Sequence, residues 1–306
     1  MTSPTLAAGI DIGGTKIAVG AVDDAGNLRA QRTFPTEAAA GFDRAVGRMA
    51  AAIDACLAEA GGSRSNLVGI GIGCAGPVDP LRGTIHNPFT LPTWDDVDLA
   101  GPLSHEFNVP ARLENDADAA LVGEAAYGAG RGCDRLVMLT FGTGIGSGVW
   151  IDGGVYRGAL GVHPELGHLP IVADGPECYC GLRGCFEALA SGTAIAGAAA
   201  AVGFRDAAHV FEAAAAGDPR AAAVVDRALD AVFRGVWTVQ HTFVPRRIIL
   251  GGGVIDHQYP RFAAAAERAV VQAVLNPREA TQVVRAELGN LAGLVGAAWL
   301  GRHARQ

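Results

Sequence analysis

The chain has 306 residues, half of them apolar, with 43 glycines and few aromatics; that is long enough for two ordinary domains, each with its own core. This composition suits a globular α/β protein and excludes a disordered or fibrous one. A net charge of −7 without any Lys/Arg run excludes the electrostatic footprint of a nucleic-acid binder. Met1-Thr2-Ser3-Pro4 lacks a basic region before an apolar core, so no secretory signal is expected. The longest charge-free run, 188–204, is too short and too weakly apolar to span a bilayer. Cys56, Cys74 and Cys133 stand singly with no disulfide spacing, which points to a reduced cytoplasm.

Residues 6–12 read as a buried strand, Gly13-Gly14 as a turn, 15–22 as the returning strand and 28–34 as a third. A hairpin tipped by glycines lets backbone N–H groups approach phosphate oxygens. Gly13-Gly14-Thr15-Lys16 lacks the spacing of a Walker A loop, and a plain hairpin turn is the competing reading. Asp11, at the strand end, is placed to hold Mg²⁺ through water.

Residues 42–60 form an amphipathic helix with Val46, Met49, Ile53 and Leu57 at helical spacing, ended by Gly61-Gly62. Residues 67–74 alternate glycine with Val and Ile, the pattern of a strand closely approached on its glycine face. Gly76-Pro77 breaks that strand. The polar stretch to Asp98, with Asn87-Pro88, Leu91-Pro92 and Trp94, reads as a long irregular connection. Gly76, Asn87 and the backbone around Pro92 are candidate walls for a substrate, against the alternative of an ordinary surface loop.

A strand at 111–113 leads through Glu114-Asn115-Asp116 into a helix at 117–128, with Asp116 at or near its N-cap. Capping is the common role for such residues. An Asn-Asp pair at a strand-to-helix switch is also where a ligand-facing carboxylate sits in an α/β fold. Residues 135–141 are a buried strand, Gly142-Thr143-Gly144-Ile145-Gly146-Ser147-Gly148 turns it, and 149–151 returns. This repeats the opening hairpin and points to an internal duplication, each half presenting a backbone cradle to one end of a polyphosphate.

His163-Pro164-Glu165-Leu166-Gly167-His168 is followed by Cys178-Tyr179-Cys180-Gly181-Leu182-Arg183-Gly184-Cys185-Phe186-Glu187. One imidazole and three thiolates make a closed tetrahedral set of the kind structural Zn²⁺ takes; three buried apolar cysteines are the blander reading. A metal here would pin Glu165 and Glu187 to one rigid loop, which suits hydrogen-bonding a polyhydroxylated ligand.

Downstream, 186–202 and 207–216 are helical, and Asp218-Pro219 starts a long helix to about residue 243. A strand at 247–250 ends in Gly251-Gly252-Gly253, which opens the next helix. The three glycines let backbone approach a ring or ribose, or form a simple tight turn. A helix at 259–275, a strand at 282–286 and a closing helix at 292–300 complete the chain. The remaining histidines (His86, His105, His209, His241, His257 and His303) form no usable pairing.

Taken together, Asp11-Ile12-Gly13-Gly14-Thr15-Lys16, Glu114-Asn115-Asp116, Phe141-Gly142-Thr143-Gly144-Ile145-Gly146, Glu165-Leu166-Gly167-His168, the cysteine segment through Glu187 and Gly251-Gly252-Gly253 resemble the ROK family of the actin-like ATPase superfamily. The resemblance covers essentially the whole chain, and its length is most similar to that of the family's bacterial glucokinases. It implies an α/β fold of two actin-like (ribonuclease H-like) ATPase domains flanking a cleft, one of residues 1–116 plus 291–306 and one of 117–290, with the closing helix packing on the first. It implies an ATP-dependent kinase for the 6-hydroxyl of glucose, in the cytoplasm, as a homodimer or homotetramer.

Asp116 matches the family's catalytic base. Asn115, Asp116, Glu165, His168 and Glu187 match its sugar contacts, beside the wall residue Gly76. Gly13, Gly14, Thr15, Lys16, Gly142, Thr143, Gly144 and Gly146 match its phosphate loops, and Gly251, Gly252 and Gly253 its adenosine side. His168, Cys178, Cys180 and Cys185 match its structural zinc ligands, and ATP and Mg²⁺ complete the implied cofactors. Three departures bear on the sugar: Asp118 where Asn is frequent, His163-Pro164 before Glu165 as in some fructokinase-type members, and Thr93 where Gly is frequent. Fructose, mannose and N-acetylhexosamines are therefore alternative substrates. A non-catalytic sugar sensor is the alternative of another class. A ROK repressor would need a helix-turn-helix, for which a first strand beginning by Leu6 leaves no room.

Overall fold

Apolar alternation at the start of the chain builds the first sheet, and the glycines that interrupt it decide what packs there. The computed structural model describes residues 5–87, 90–275 and 281–304; readings that rest on Met1, Thr2, Ser3, Pro4 or Pro88 lie outside them. In order the elements are β1 (Leu6–Ile12), β2 (Lys16–Val22), β3 (Leu28–Pro35), α1 (Phe42–Glu59) and β4 (Leu67–Cys74). Then come the short β5 (Val78–Asp79), β6 (Thr84–Ile85) and β7 (Val97–Asp98), followed by α2 (Ala100–Phe107), β8 (Ala111–Asn115) and α3 (Asp116–Tyr127). The second half holds β9 (Arg135–Phe141), β10 (Ile145–Ile151), β11 (Gly154–Val155), α4 (Phe186–Ala190), α5 (Gly192–Ala201), α6 (Ala207–Ala215) and α7 (Pro219–Phe243). β12 (Arg247–Gly251), α8 (Gly253–Gln272), β13 (Gln282–Arg285) and α9 (Ala292–Arg302) close the chain. Residues 1–132, 148–164 and 290–306 group into one unit, and 133–147 with 165–289 into another.

In the first unit the sheet runs β3-β2-β1-β4-β8, with β1, β4 and β8 parallel and β2 and β3 antiparallel. Leu6, Ala8, Ile10 and Ile12 share one buried core with Met49, Ile53 and Leu57 of α1, as the helical spacing predicts. Each such fully buried aliphatic side chain stabilises by about 1.5–3 kcal/mol.

The opposite face is made of missing side chains. A Cβ on Gly9, Gly69 or Gly71 would sit inside the carbonyl of Leu294, Gly301 or Ala297, all on α9. The partner that the glycine pattern of β4 anticipates is therefore α9. α3 reaches α9 the same way: a Cβ on Gly296 would strike the Ala119 carbonyl, and one on Gly123 the Ala292 carbonyl. Between β4 and β8, the stretch to Asp98 read as irregular holds the β5-β6-β7 sheet, and α2 follows it; two-residue strands carry too little pattern to read.

The second sheet has the order β11-β10-β9-β12-β13, with β9, β12 and β13 parallel. It repeats the strand order of the first, as the two Gly-rich hairpins imply. Asp218 caps α7 by accepting the Arg220 and Ala221 N–H groups, with Pro219 in the first turn. The helix expected over 186–202 breaks at Ser191, whose hydroxyl accepts the Ala194 N–H and restarts the chain as α5. α8 starts at Gly253 and runs through Pro260. Proline leaves the carbonyl four residues back without its helical donor. Here that carbonyl, on Asp256, accepts from Arg285 Nη2 at 3.2 Å.

Gly71→Ala, an otherwise mild change, is expected to lower unfolding free energy by about 3 kcal/mol, because α9 must lift off β4 to admit a methyl group. Denaturant unfolding checks this, and Gly41→Ala, a position with nothing within 4 Å of an added Cβ but a positive φ, calibrates the purely backbone cost.

Candidate active site

On the first unit, the ends of β1, β4 and β8 gather the polar residues. Asn115, the last residue of β8, is the N-cap of α3: its Oδ1 accepts the Ala117 N–H at 2.8 Å and the Asp118 N–H at 3.4 Å. The cap read onto Asp116 thus belongs to Asn115, and Asp116 is the first residue of the helix, with Oδ1 accepting the Ala117 N–H at 2.9 Å. The positive end of α3 lies under that carboxylate. Gly76 packs on the Asn115 amide so closely that a Cβ would lie 2.9 Å from its Nδ2. Asn87 is spent on the loop itself, donating to the Ala75 carbonyl and accepting the Thr90 N–H.

Burial raises the Asp11 carboxyl to about 6; the nearby Asp116 carboxylate adds to the shift and Lys16 opposes it. A buried carboxylate beside a second one is a fitting place for a hydrated divalent cation, which relieves both terms. The turn after Asp11 is tight: the Gly13 N–H donates to the Lys16 carbonyl at 3.0 Å, and Thr36 Oγ1 donates to the Gly13 carbonyl at 2.7 Å. Gly14, Thr15 and Lys16 are exposed at its tip.

Behind Asn115, Glu114 is 1 % exposed; it accepts the Asn115 N–H and pairs with Arg157. Sequence reading missed this pair, and no local signal marks it, because 43 positions separate the two residues and only topology joins them.

On the second unit, Gly142, Thr143 and Gly144 form the turn between β9 and β10; the turn read over 142–148 is shorter, and Gly146 lies within β10. The Gly142 N–H donates to the Gly144 carbonyl at 2.9 Å, and the Gly192 N–H donates to the Gly142 carbonyl at 2.8 Å. Glu187, in the first turn of α4, accepts the Ile145 N–H at 2.6 Å. The Glu165-to-His168 segment docks on the start of β10 through the Leu166 N–H, which donates to Ser147 Oγ at 3.1 Å, and through Gly167, where a Cβ would meet the Ile145 carbonyl. Gly252 (φ 91°) caps α8 and lies against the Phe141 backbone, between the buried Gly251 and Gly253, which has open space beside it. Thr143, Gly144, Tyr179, Glu187, Ser191 and Thr193 line a cavity of about 400 Å³.

His168, Cys178, Cys180 and Cys185 present ligand atoms that all lie within 4.8 Å of one another. Cys178 Sγ is 3.4 Å from His168 Nδ1 and Cys180 Sγ is 3.5 Å from Cys185 Sγ. Zn–S bonds of about 2.3 Å in a tetrahedron place sulfurs about 3.8 Å apart, so the donor set fits that ion. Burial, with Cys180 and Cys178 adding, pushes the Cys185 thiol up to about 12. The Leu182 N–H holds Cys180 below the ordinary thiol value. Burial raises Cys178 as well, so two of the three clustered thiols resist ionising without a cation among them. A second His/Asp group, His86 with Asp95 and Asp96, is wholly exposed and has no such enclosure.

The ROK family model matches residues 7–304. The chain belongs to the ROK family. It is 36% identical to the glucokinase of Thermotoga maritima over 306 aligned residues, covering 95% of each chain. Among solved structures, the ROK hexokinase of Thermus thermophilus superposes with a TM-score of 0.85 at 36% identity, over 97% of this chain and 98% of that one. The ROK glucokinase of Streptomyces griseus, solved with glucose and AMPPNP, gives 0.77 at 33%, over 98% and 100%. The fold is the actin-like ATPase fold of ROK sugar kinases. Among the described residues no helix is long and apolar enough to cross a membrane.

The cysteine cluster predicts one zinc per chain by elemental analysis, lost in Cys185→Ser together with a cooperative part of the thermal transition, since structural zinc contributes folding free energy directly. Metal-free protein with an unchanged melting profile would contradict that.

Proposed function

We propose that this ROK-family chain is an ATP-dependent glucokinase that transfers the γ-phosphoryl group of ATP to the 6-hydroxyl of glucose. The observation that carries the reading is the place of Asp116, the first residue of α3 at the strand-to-helix switch, where a ligand-facing carboxylate sits in an α/β fold. The full-length likeness to glucokinases supports the substrate.

In this reading Asp116 hydrogen-bonds the 6-hydroxyl and takes its proton as the oxygen attacks phosphorus. Asn115, Glu165, His168 and Glu187 hold the other hydroxyls, with Gly76 as a wall. The amides of Gly13, Gly14, Thr15 and Lys16, and of Gly142, Thr143, Gly144 and Gly146, receive the phosphates; Gly251, Gly252 and Gly253 receive the adenosine. Asp11 would hold hydrated Mg²⁺, which would supply neutralisation of phosphate charge. The geometry asks for positioning and charge stabilisation more than covalent catalysis, as phosphoryl transfer does. His168, Cys178, Cys180 and Cys185 hold structural Zn²⁺, which fixes His168 and keeps Glu187 beside it. Homodimer or homotetramer assembly and a cytoplasmic location belong to the same proposal.

A coupled ADP-release assay across glucose, fructose, mannose and N-acetylated hexoses tests it. Glucose is expected to give the highest kcat/KM. Asp116→Asn is expected to lower kcat by about 10²–10⁴-fold, the typical worth of a general base, with glucose affinity retained. No ADP release with any hexose, or full turnover in Asp116→Asn, would overturn the proposal.

A further inference from the structure

Tyr179 stands between two of the clustered cysteines and is 84 % exposed, yet its hydroxyl is not left to water. Tyr179 Oη lies 3.0 Å from His168 Nε2, and Tyr179 and Glu187 line the same cavity. The two rings meet edge to face, with centroids 5.0 Å apart and planes at 89°. His168 Nδ1 faces Cys178, so a metal on Nδ1 leaves the proton on Nε2. That N–H would then donate to the phenol oxygen, with the Glu187 carboxylate nearby. A hydroxyl that accepts from an imidazole beside a carboxylate stands where a sugar hydroxyl would.

We propose that Tyr179 is a built-in competitor for the sugar site: in the free protein its hydroxyl occupies the place of a hexose hydroxyl on His168, beside Glu187, and the side chain must swing out before a sugar binds. This rests on the assignment of His168 and Glu187 as sugar contacts. The swing needs little else to move. Cys178 and Cys180 on either side are tied to the cluster, and apart from its edge contact with His168 the ring is largely in solvent. Tyr179 is thereby a specificity-determining residue. Only a ligand whose hydroxyl replaces the bond to His168 displaces it without loss, and one lacking a hydroxyl at that position leaves the imidazole unsatisfied.

Isothermal titration of the zinc-loaded protein with glucose, without nucleotide, tests the proposal in wild type, Tyr179→Phe and Glu187→Gln. Phenylalanine keeps the ring and removes only the competing hydroxyl, so glucose Kd is expected to fall about tenfold, the worth of one hydrogen bond to a charged group. Zinc content and melting temperature equal to wild type certify the fold of the variant. An unchanged or raised Kd in Tyr179→Phe would overturn the competitor role while leaving the sugar site standing. An unchanged Kd in Glu187→Gln would instead remove the sugar contact on which the proposal rests.

Discussion

Bare backbone lying on bare backbone is the contact that the first unit depends on. Gly9 of β1 and Gly69 and Gly71 of β4 present no side chains to α9, and the carbonyls of Leu294, Ala297 and Gly301 fill the space those side chains would take. Interiors packed this closely tolerate no added methyl group. α9 then touches α3 through Gly296 and Gly123 in the same manner. One helix from the end of the chain therefore sets the position of two strands and of the helix that follows β8. Gly293, near the start of α9, faces Asp11: a Cβ there would lie in ordinary contact, 3.5 Å from its carboxyl carbon. The electrostatics follow from the packing, because burial under α9 and the nearness of Asp116 together raise the Asp11 carboxyl.

In the second unit the equivalent role falls to a carboxylate and a loop of thiols. Glu187 braces the Gly142-to-Gly144 turn by accepting the N–H of Ile145, the first residue of β10, and it sits two residues after Cys185 in the cluster. Ser147, further along β10, holds the Leu166 N–H and so the segment that ends at His168. A single short stretch of β10 thus ties a backbone cradle to the residues that present an imidazole and two carboxylates. Disturbing the cysteine loop is expected to be felt at the Gly142-to-Gly144 turn, because Glu187 follows the one and braces the other.

What the sequence made legible was what short-range chemistry specifies. β4 could be bounded from its Gly/Val/Ile alternation, α7 from Asp218-Pro219, and the repeated hairpins from their glycines. The cysteine cluster followed from spacing alone, since three of its four ligands lie within eight residues. The misses have tertiary causes. Asn115 and Asp116 are equally good caps by residue type, and only the register of α3 against β8 decides between them. The helix read at 259–275 starts earlier, at Gly253, and Arg285 from β13 takes the Asp256 carbonyl that Pro260 leaves without its helical donor. Arg157 and Tyr179 carried no pattern of their own; each matters through a partner that folding brings to it.

The account turns on Asp116 being the carboxylate that meets the reacting hydroxyl. A crystal structure of the protein with glucose and a non-hydrolysable ATP analogue measures this directly. The account predicts the 6-hydroxyl oxygen about 2.6–3.2 Å from an Asp116 carboxylate oxygen, within reach for proton transfer. A sugar whose 6-hydroxyl is held by another group, with Asp116 turned back onto the first turn of α3, would contradict it.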